Sequence, residues 1–173
     1  MEREGTGRRP AARVVGRYAI HEAIAAGGMA TVHVGRLIGP IGFSRTVAIK
    51  RLHVRFARDP EFTAMLLDEA RVASRIRHPN VVPVIDVVAE DGELLLVMEY
   101  VHGEPLSILL RAHTERTPER ARVVANVVAG ALHGLHAAHE TCDDGGQPLG
   151  IVHRDVSPEN VLLGLDGIPR VVD

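Results

Sequence analysis

The sequence predicts an α+β chain in which strands come first and helices follow. Three observations carry this. Up to Gly103 the chain breaks into short apolar, β-branched runs punctuated by glycine and proline, at residues 18–20, 31–34, 47–49, 81–88 and 94–98. Beyond Gly103 the apolar residues recur at helical spacing, most clearly over residues 118–140. A single helical stretch, opened by Asp59-Pro60, interrupts the strands.

Composition narrows the class. The 173 residues are 46% hydrophobic and 24% charged, as in a soluble globular protein. A net charge of −2 gives no electrostatic case for nucleic acid or an anionic membrane. One cysteine, Cys142, excludes an internal disulfide and fits a reducing compartment. The start of the chain has no apolar signal core. The longest run without Asp, Glu, Lys or Arg, residues 123–139, is too short and too polar to span a bilayer. A cytoplasmic protein without membrane contact is expected.

Residues 1–16, rich in Arg and Gly, predict a disordered arm. Strands at 18–20 and 31–34 flank Ala25-Ala26-Gly27-Gly28-Met29-Ala30, a hairpin with a glycine tip. Val47-Ala48-Ile49-Lys50 is a strand ending in the one lysine among 20 basic residues. An ammonium is a compact point charge that fits between phosphate oxygens, where a guanidinium is broad and planar. Asp59 caps the next helix, with Pro60 in its first turn and Phe62, Met65, Leu66, Val72, Ala73 and Ile76 as apolar positions. Glu69 has apolar neighbours three and four residues away on both sides. It is expected to face the core and to need a cation, for which Lys50 is the natural candidate. The alternative places it at the edge of the stripe, reaching water.

His78-Pro79-Asn80 ends that helix, and Glu90-Asp91-Gly92 turns the chain between two strands. The continuous apolar run 94–98 reads as a strand buried on both faces and leads into Glu99-Tyr100-Val101-His102-Gly103. A short helix is expected over 106–113. Thr117-Pro118-Glu119 then caps a long one with Val123, Val124, Val127, Val128, Ala131, Leu132 and Leu135 along its buried side. His133, His136 and His139 recur every three residues, a spacing that drifts around a helix and matches no zinc motif.

The chemistry concentrates in His153-Arg154-Asp155-Val156-Ser157-Pro158-Glu159-Asn160, a polar loop between apolar Ile151-Val152 and Val161-Leu162-Leu163. An Asp here can accept a proton from a hydroxyl, and an Asn oxygen five residues on can coordinate Mg²⁺. The alternative is that both side chains only cap turns. The octet resembles the H-R-D-x-x-x-x-N catalytic loop of protein kinases, and the chain is similar to the bacterial eukaryotic-like Ser/Thr kinases.

That resemblance implies a kinase-like two-lobe fold, with a small β-rich lobe and hinge over 17–103 and part of the helical lobe over 104–173. It implies an ATP site made by Gly27, Gly28, Val32, Ala48, Met98, Glu99, Val101 and Leu162, with Met98 at the back of the pocket and Glu99 and Val101 offering backbone groups. Lys50, held by Glu69, would contact the α- and β-phosphates. Asn160 and Asp173 would hold Mg²⁺, and Asp155 would take the proton of a protein hydroxyl. Some positions depart from the family. Of the three glycines in the pattern G-x-G-x-x-G-x-V only the central one, Gly27, is kept. Ser157 stands where Ser/Thr kinases carry Lys, and no Phe-Gly follows Asp173. An incomplete catalytic domain, silent by itself, is therefore expected. A pseudokinase and a small-molecule phosphotransferase of related fold are the alternatives; the Arg after His153 favours a protein substrate over the latter.

Overall fold

The computed structural model describes residues 13–90, 92–115 and 117–172. Its first half is a six-stranded antiparallel sheet in the order β1-β2-β3-β4-β6-β5. The strands are β1 (Arg13–Val15), β2 (Tyr18–Ala26), β3 (Ala30–Ile38), β4 (Ser44–Leu52), β5 (Val84–Glu90) and β6 (Glu93–Glu99). The sheet curls until its two ends meet. Arg17 lies 2.8 Å from Asp86 of β5, the Tyr18 hydroxyl donates to the same carboxylate at 2.7 Å, and Arg13 reaches Glu93 at 3.0 Å. β1 departs from the expectation of an arm running to Gly16. A two-residue turn with Gly16 at φ 55 folds Arg13–Val15 back onto Tyr18–Ile20. The remainder of the expected arm, residues 1–12, lies outside the described residues, as does Asp91 of the expected turn.

Strand alternation divides the core in two. Val15, Tyr18, Ile20, Val47, Ile49, Leu95 and Val97 point into the curl and form one cluster. Leu96 and Met98 point the other way, packing with Ala70 and Val82 and with the partly buried Ala48, Val84, Val87, Val101 and Val172. β6 is thus covered on both faces, as its unbroken apolar run predicts.

Two helices lie between β4 and β5: α1 (Val54–Ala57) and α2 (Pro60–Ala73). The Asp59 carboxylate caps α2 by accepting from the N–H groups of Glu61 and Phe62 at 3.0 and 3.3 Å. Glu69 corrects the sequence reading: it is exposed, not core-facing. The buried side of α2 runs through Phe62, Leu66, Leu67 and Ala70. At 3.6 residues per turn, Glu69 sits roughly a quarter turn from the centre of that side, so its carboxylate reaches water.

The second half comprises α3 (Leu106–Ala112), α4 (Pro118–His139) and a three-stranded sheet β7-β8-β9 from Gly103–Pro105, Val161–Gly164 and Pro169–Val171. Thr117 caps α4, its hydroxyl accepting from the Arg120 N–H at 3.2 Å. α4 buries Val127, Ala131, Gly134 and Ala138. Val127 and Ala131 form a cluster with Val161 and Val171, joined by the partly buried Leu106, Leu135 and Leu163. Val123, Val128 and Leu132, expected on the buried side, are exposed at 54%, 45% and 58%. The small β-sheet covers one narrow stripe of the helix, and these three lie beside that stripe. No helix among the described residues is long and apolar enough to cross a membrane.

Candidate active site

One wall of the site is the sheet face that carries Lys50. Antiparallel register places Val32, Lys50 and Leu96 in one row across β3, β4 and β6, with Val34, Ala48 and Met98 in the next. The side chains of each row share a face, so Val32, Ala48, Lys50 and Met98 stand together on the side opposite the Val47–Ile49 core. Beyond Val32, β3 folds back to β2 through Gly27, Gly28 and Met29, closed by the Gly27 N–H to the Ala30 carbonyl at 2.8 Å. A side chain added at Gly28 would meet nothing within 4 Å, so space is open above the hairpin tip.

At the end of β6, Glu99 donates its N–H to the Pro83 carbonyl at 3.0 Å and its carboxylate receives Arg45 at 2.8 Å. Val101 packs against the Leu96–Met98 cluster. Leu162 of β8 pairs with Pro105 and Arg170, and alternation sets it on the opposite face from Leu163, which packs toward α4.

The second wall is the loop around Asp155. Arg154 adopts a left-handed conformation, φ 64, that is rare outside glycine. This sharp turn leaves His153 half-buried and Asp155 exposed. His153 Nε2 bonds the Val172 carbonyl at 3.0 Å, so Nε2 carries the ring hydrogen and Nδ1 remains an acceptor beside the Asp155 N–H at 3.4 Å. Asn160 Nδ2 donates to both the carbonyl and the Oδ2 of Asp155, each at 2.9 Å. That bond holds one oxygen of the Asp155 carboxylate. The Asn160 side-chain oxygen takes no part in it and is a hard donor of the kind Mg²⁺ accepts. Val172 joins the walls: its side chain packs on the Leu96–Met98 cluster, and its N–H donates to the Asn160 carbonyl at 3.0 Å.

Of the residues singled out in the sequence, Gly27, Gly28, Val32, Ala48, Lys50 and Met98 thus belong to the sheet wall, and Asp155 and Asn160 are locked together in the loop wall. Glu69 stands apart: it is exposed and forms no ion pair with another described residue. Asp173 lies outside the described residues. No cluster of three or more His, Cys, Asp or Glu that could hold a metal occurs among the described residues. Sequence reading missed Asn80, taken there only as part of a helix stop; in three dimensions it bonds to β9. Its signal was faint, a side-chain amide set just before a β-branched pair.

Residues 18–173 match the family model described as protein kinase domain. The chain is 39% identical over 165 residues to the tyrosine-protein kinase MasK of Myxococcus xanthus, covering 95% of this chain and 26% of that protein. It is 36% identical over 161 residues to the serine/threonine-protein kinase PrkC of Bacillus subtilis, covering 93% and 23%. Among solved structures it resembles the PknI kinase domain of Mycobacterium tuberculosis, with a TM-score of 0.73 at 27% identity, covering 94% of this chain and 60% of that one. The chain therefore spans about a quarter of the length of these curated relatives.

Proposed function

The chain belongs to the protein kinase family, and from that premise we propose that the full-length protein transfers the γ-phosphate of ATP to a Ser or Thr hydroxyl of a protein substrate in the cytoplasm. The observation that carries this reading is the Asn160 clamp on Asp155, held against the Lys50 face of the sheet by Val172. Residues 17–103 serve as the small lobe and hinge, extended by β1, and residues 104–173 as part of the large lobe.

Bound Mg²⁺-ATP supplies the activated phosphoryl group and neutralises the charge around it. Val32, Ala48, Met98 and Leu162 give the adenine an apolar slot, and Glu99 and Val101 offer it backbone groups. Lys50 places a compact positive charge on the phosphates, and Gly27 and Gly28 let backbone approach them. Asn160 and Asp173 would hold the metal. Asp155, its Oδ2 held by Asn160, orients the attacking hydroxyl through its other oxygen and takes the proton. Alignment and electrostatic stabilisation do most of the work in such a transfer. The 173 residues alone are proposed not to catalyse it.

Asp155→Asn in the full-length protein tests the assignment. ATP affinity is expected to stay within about two-fold, while turnover falls by roughly 10²- to 10⁴-fold, the usual span of a general base. Phosphoamino-acid analysis of the product tests the Ser/Thr assignment. A second reading, nucleotide binding without transfer, is favoured by the exposed Glu69 and by Ser157 in place of Lys. Intact ATP binding with no turnover in the wild type would select it.

A further inference from the structure

We propose that Asn80 is a positioning residue for phosphoryl transfer, fixing the Asp155 loop relative to the sheet that carries Lys50. The inference rests on the kinase reading above. Asn80 lies on the segment between α2 and β5, outside the loop and outside the nucleotide face. Its Nδ2 donates to the Pro169 carbonyl at 2.7 Å, and its own carbonyl accepts from the Val171 N–H at 2.8 Å. Two residues on, the Val82 N–H donates to the Val171 carbonyl at 2.9 Å, and Val81 pairs with Val171 as a parallel bridge. The stretch that leads into β5 of the large sheet is thereby pinned along β9 of the small one.

From β9 the bonds run straight into the catalytic loop. Val172, the next residue, donates to the Asn160 carbonyl and accepts from His153 Nε2, both at 3.0 Å. Asn160 in turn holds Asp155. Asn80 therefore acts through Val171 and Val172, neither of which is assigned to ATP or the substrate.

The seat of Asn80 is cut for it. A Cβ on Gly134 of α4 would lie 2.4 Å from the Asn80 carbonyl oxygen. A Cβ on Gly130 would lie 2.4 Å from Pro169 Cγ and 3.1 Å from Asn80 Nδ2. Two glycines one helical turn apart let the Asn80 segment approach α4 closely. Pro169 is buried, so its carbonyl needs a donor that water cannot supply, and the Asn80 amide provides it. A shift here would carry Asp155 relative to Lys50 without altering a single residue that meets ATP or the substrate.

The test compares Asn80→Asp with Asp155→Asn in the full-length protein. Asn80→Asp is nearly isosteric and replaces the Nδ2 donor by an acceptor facing the Pro169 carbonyl. kcat, expressed per ATP-binding molecule so that unfolded protein does not count, is expected to fall by roughly ten- to a hundred-fold, the cost of a small misplacement of reacting groups. KM for ATP is expected to change much less than kcat, because Val32, Ala48, Lys50 and Met98 keep their places on the sheet. Where Asn80→Asp folds poorly, Asn80→Ser is read in the same way. A wild-type kcat in the Asn80 variant beside an inactive Asp155→Asn overturns the positioning role while leaving the kinase reading intact. So does a raised KM with unchanged kcat, which would put Asn80 in nucleotide binding instead. An active Asp155→Asn overturns the kinase site itself, and this inference with it.

Discussion

The curled sheet and helix α4 bury apolar side chains in contrasting ways. In β6 every residue from Glu93 to Met98 is buried, since β4 and β5 flank the strand and a cluster covers each face. In α4, a helix of 22 residues, four are buried, and Val123, Val128 and Leu132 stand in the open. Beside them a groove of about 380 Å³ between α3 and α4 is lined by Leu106, Leu109, Leu110, Val124 and Val127. A central strand finds its cover in the neighbours it pairs with. A helix resting on a three-stranded sheet covers only one stripe. Stability measured on these 173 residues should therefore be governed by the sheet.

The strongest way to break this contrast is Ile49→Ala. Ile49 is fully buried within the curl, and removing its side chain leaves a cavity among Val47, Leu95 and Val97. A loss of about 2–5 kcal/mol is expected in urea unfolding. A loss under about 1 kcal/mol would mean that the curl is not the main core.

A smaller effect belongs to the closure of the sheet. Burial pushes the Asp86 carboxyl up, but the Tyr18 hydroxyl, the Arg17 guanidinium and the Val87 N–H outweigh it and hold its pKa below the ordinary value. A depressed carboxylate contributes stability that is fully present above its unfolded pKa, near ~3.9, and is lost as pH falls through the lower folded value. Tyr18→Phe removes one donor and is expected to cost about 1.5–3 kcal/mol at neutral pH, as for a hydrogen bond to a charged group. It should also flatten the fall in stability below pH ~4. An unchanged acid limb would show that Tyr18 does not hold Asp86. In the other half, Arg170 and the Ile168 N–H hold Asp166 down to about 2, but that carboxylate is exposed, so its acid limb should be shallower.

What could be read from the sequence follows the same division. The cap at Asp59, the cap at Thr117 and the strand at Val47-Ala48-Ile49-Lys50 are local signals, and each appears in the structure at those residues, whereas the run 81–88 becomes a strand over Val84–Glu90. Asp155 and Asn160 could be singled out because both sit in one short motif, but the bond by which Asn160 holds the Asp155 carboxylate is seen only in the structure. Glu69 was misread because its immediate apolar neighbours suggested a central position, whereas the curl of the sheet chose Leu66, Leu67 and Ala70 as the buried side. β1 was missed because three residues beside an Arg- and Gly-rich stretch acquire a strand only by pairing with Tyr18–Ile20. Asn80 carried only a faint signal because its partners, Pro169 and Val171, come some ninety residues later.

The smallest expected effect is the sharpest check on α4. Leu132 is 58% exposed on a helix whose buried stripe passes through Ala131 and Gly134. Leu132→Ala removes a large apolar side chain that has little to pack against, and alanine is at least as good a helix former. In the 173-residue chain the change is expected to shift stability by no more than about 0.5 kcal/mol, as at other surface positions. The same substitution at Val127, which is 3% exposed, should cost distinctly more. Measuring both in parallel by urea unfolding isolates the face from the helix. Equal losses would mean that Leu132 is packed in solution and that α4 is covered more broadly than one stripe. Repeating Leu132→Ala in the full-length protein then sharpens the comparison. A cost rising there to about 2–5 kcal/mol would show that this face is part of a core in the whole molecule.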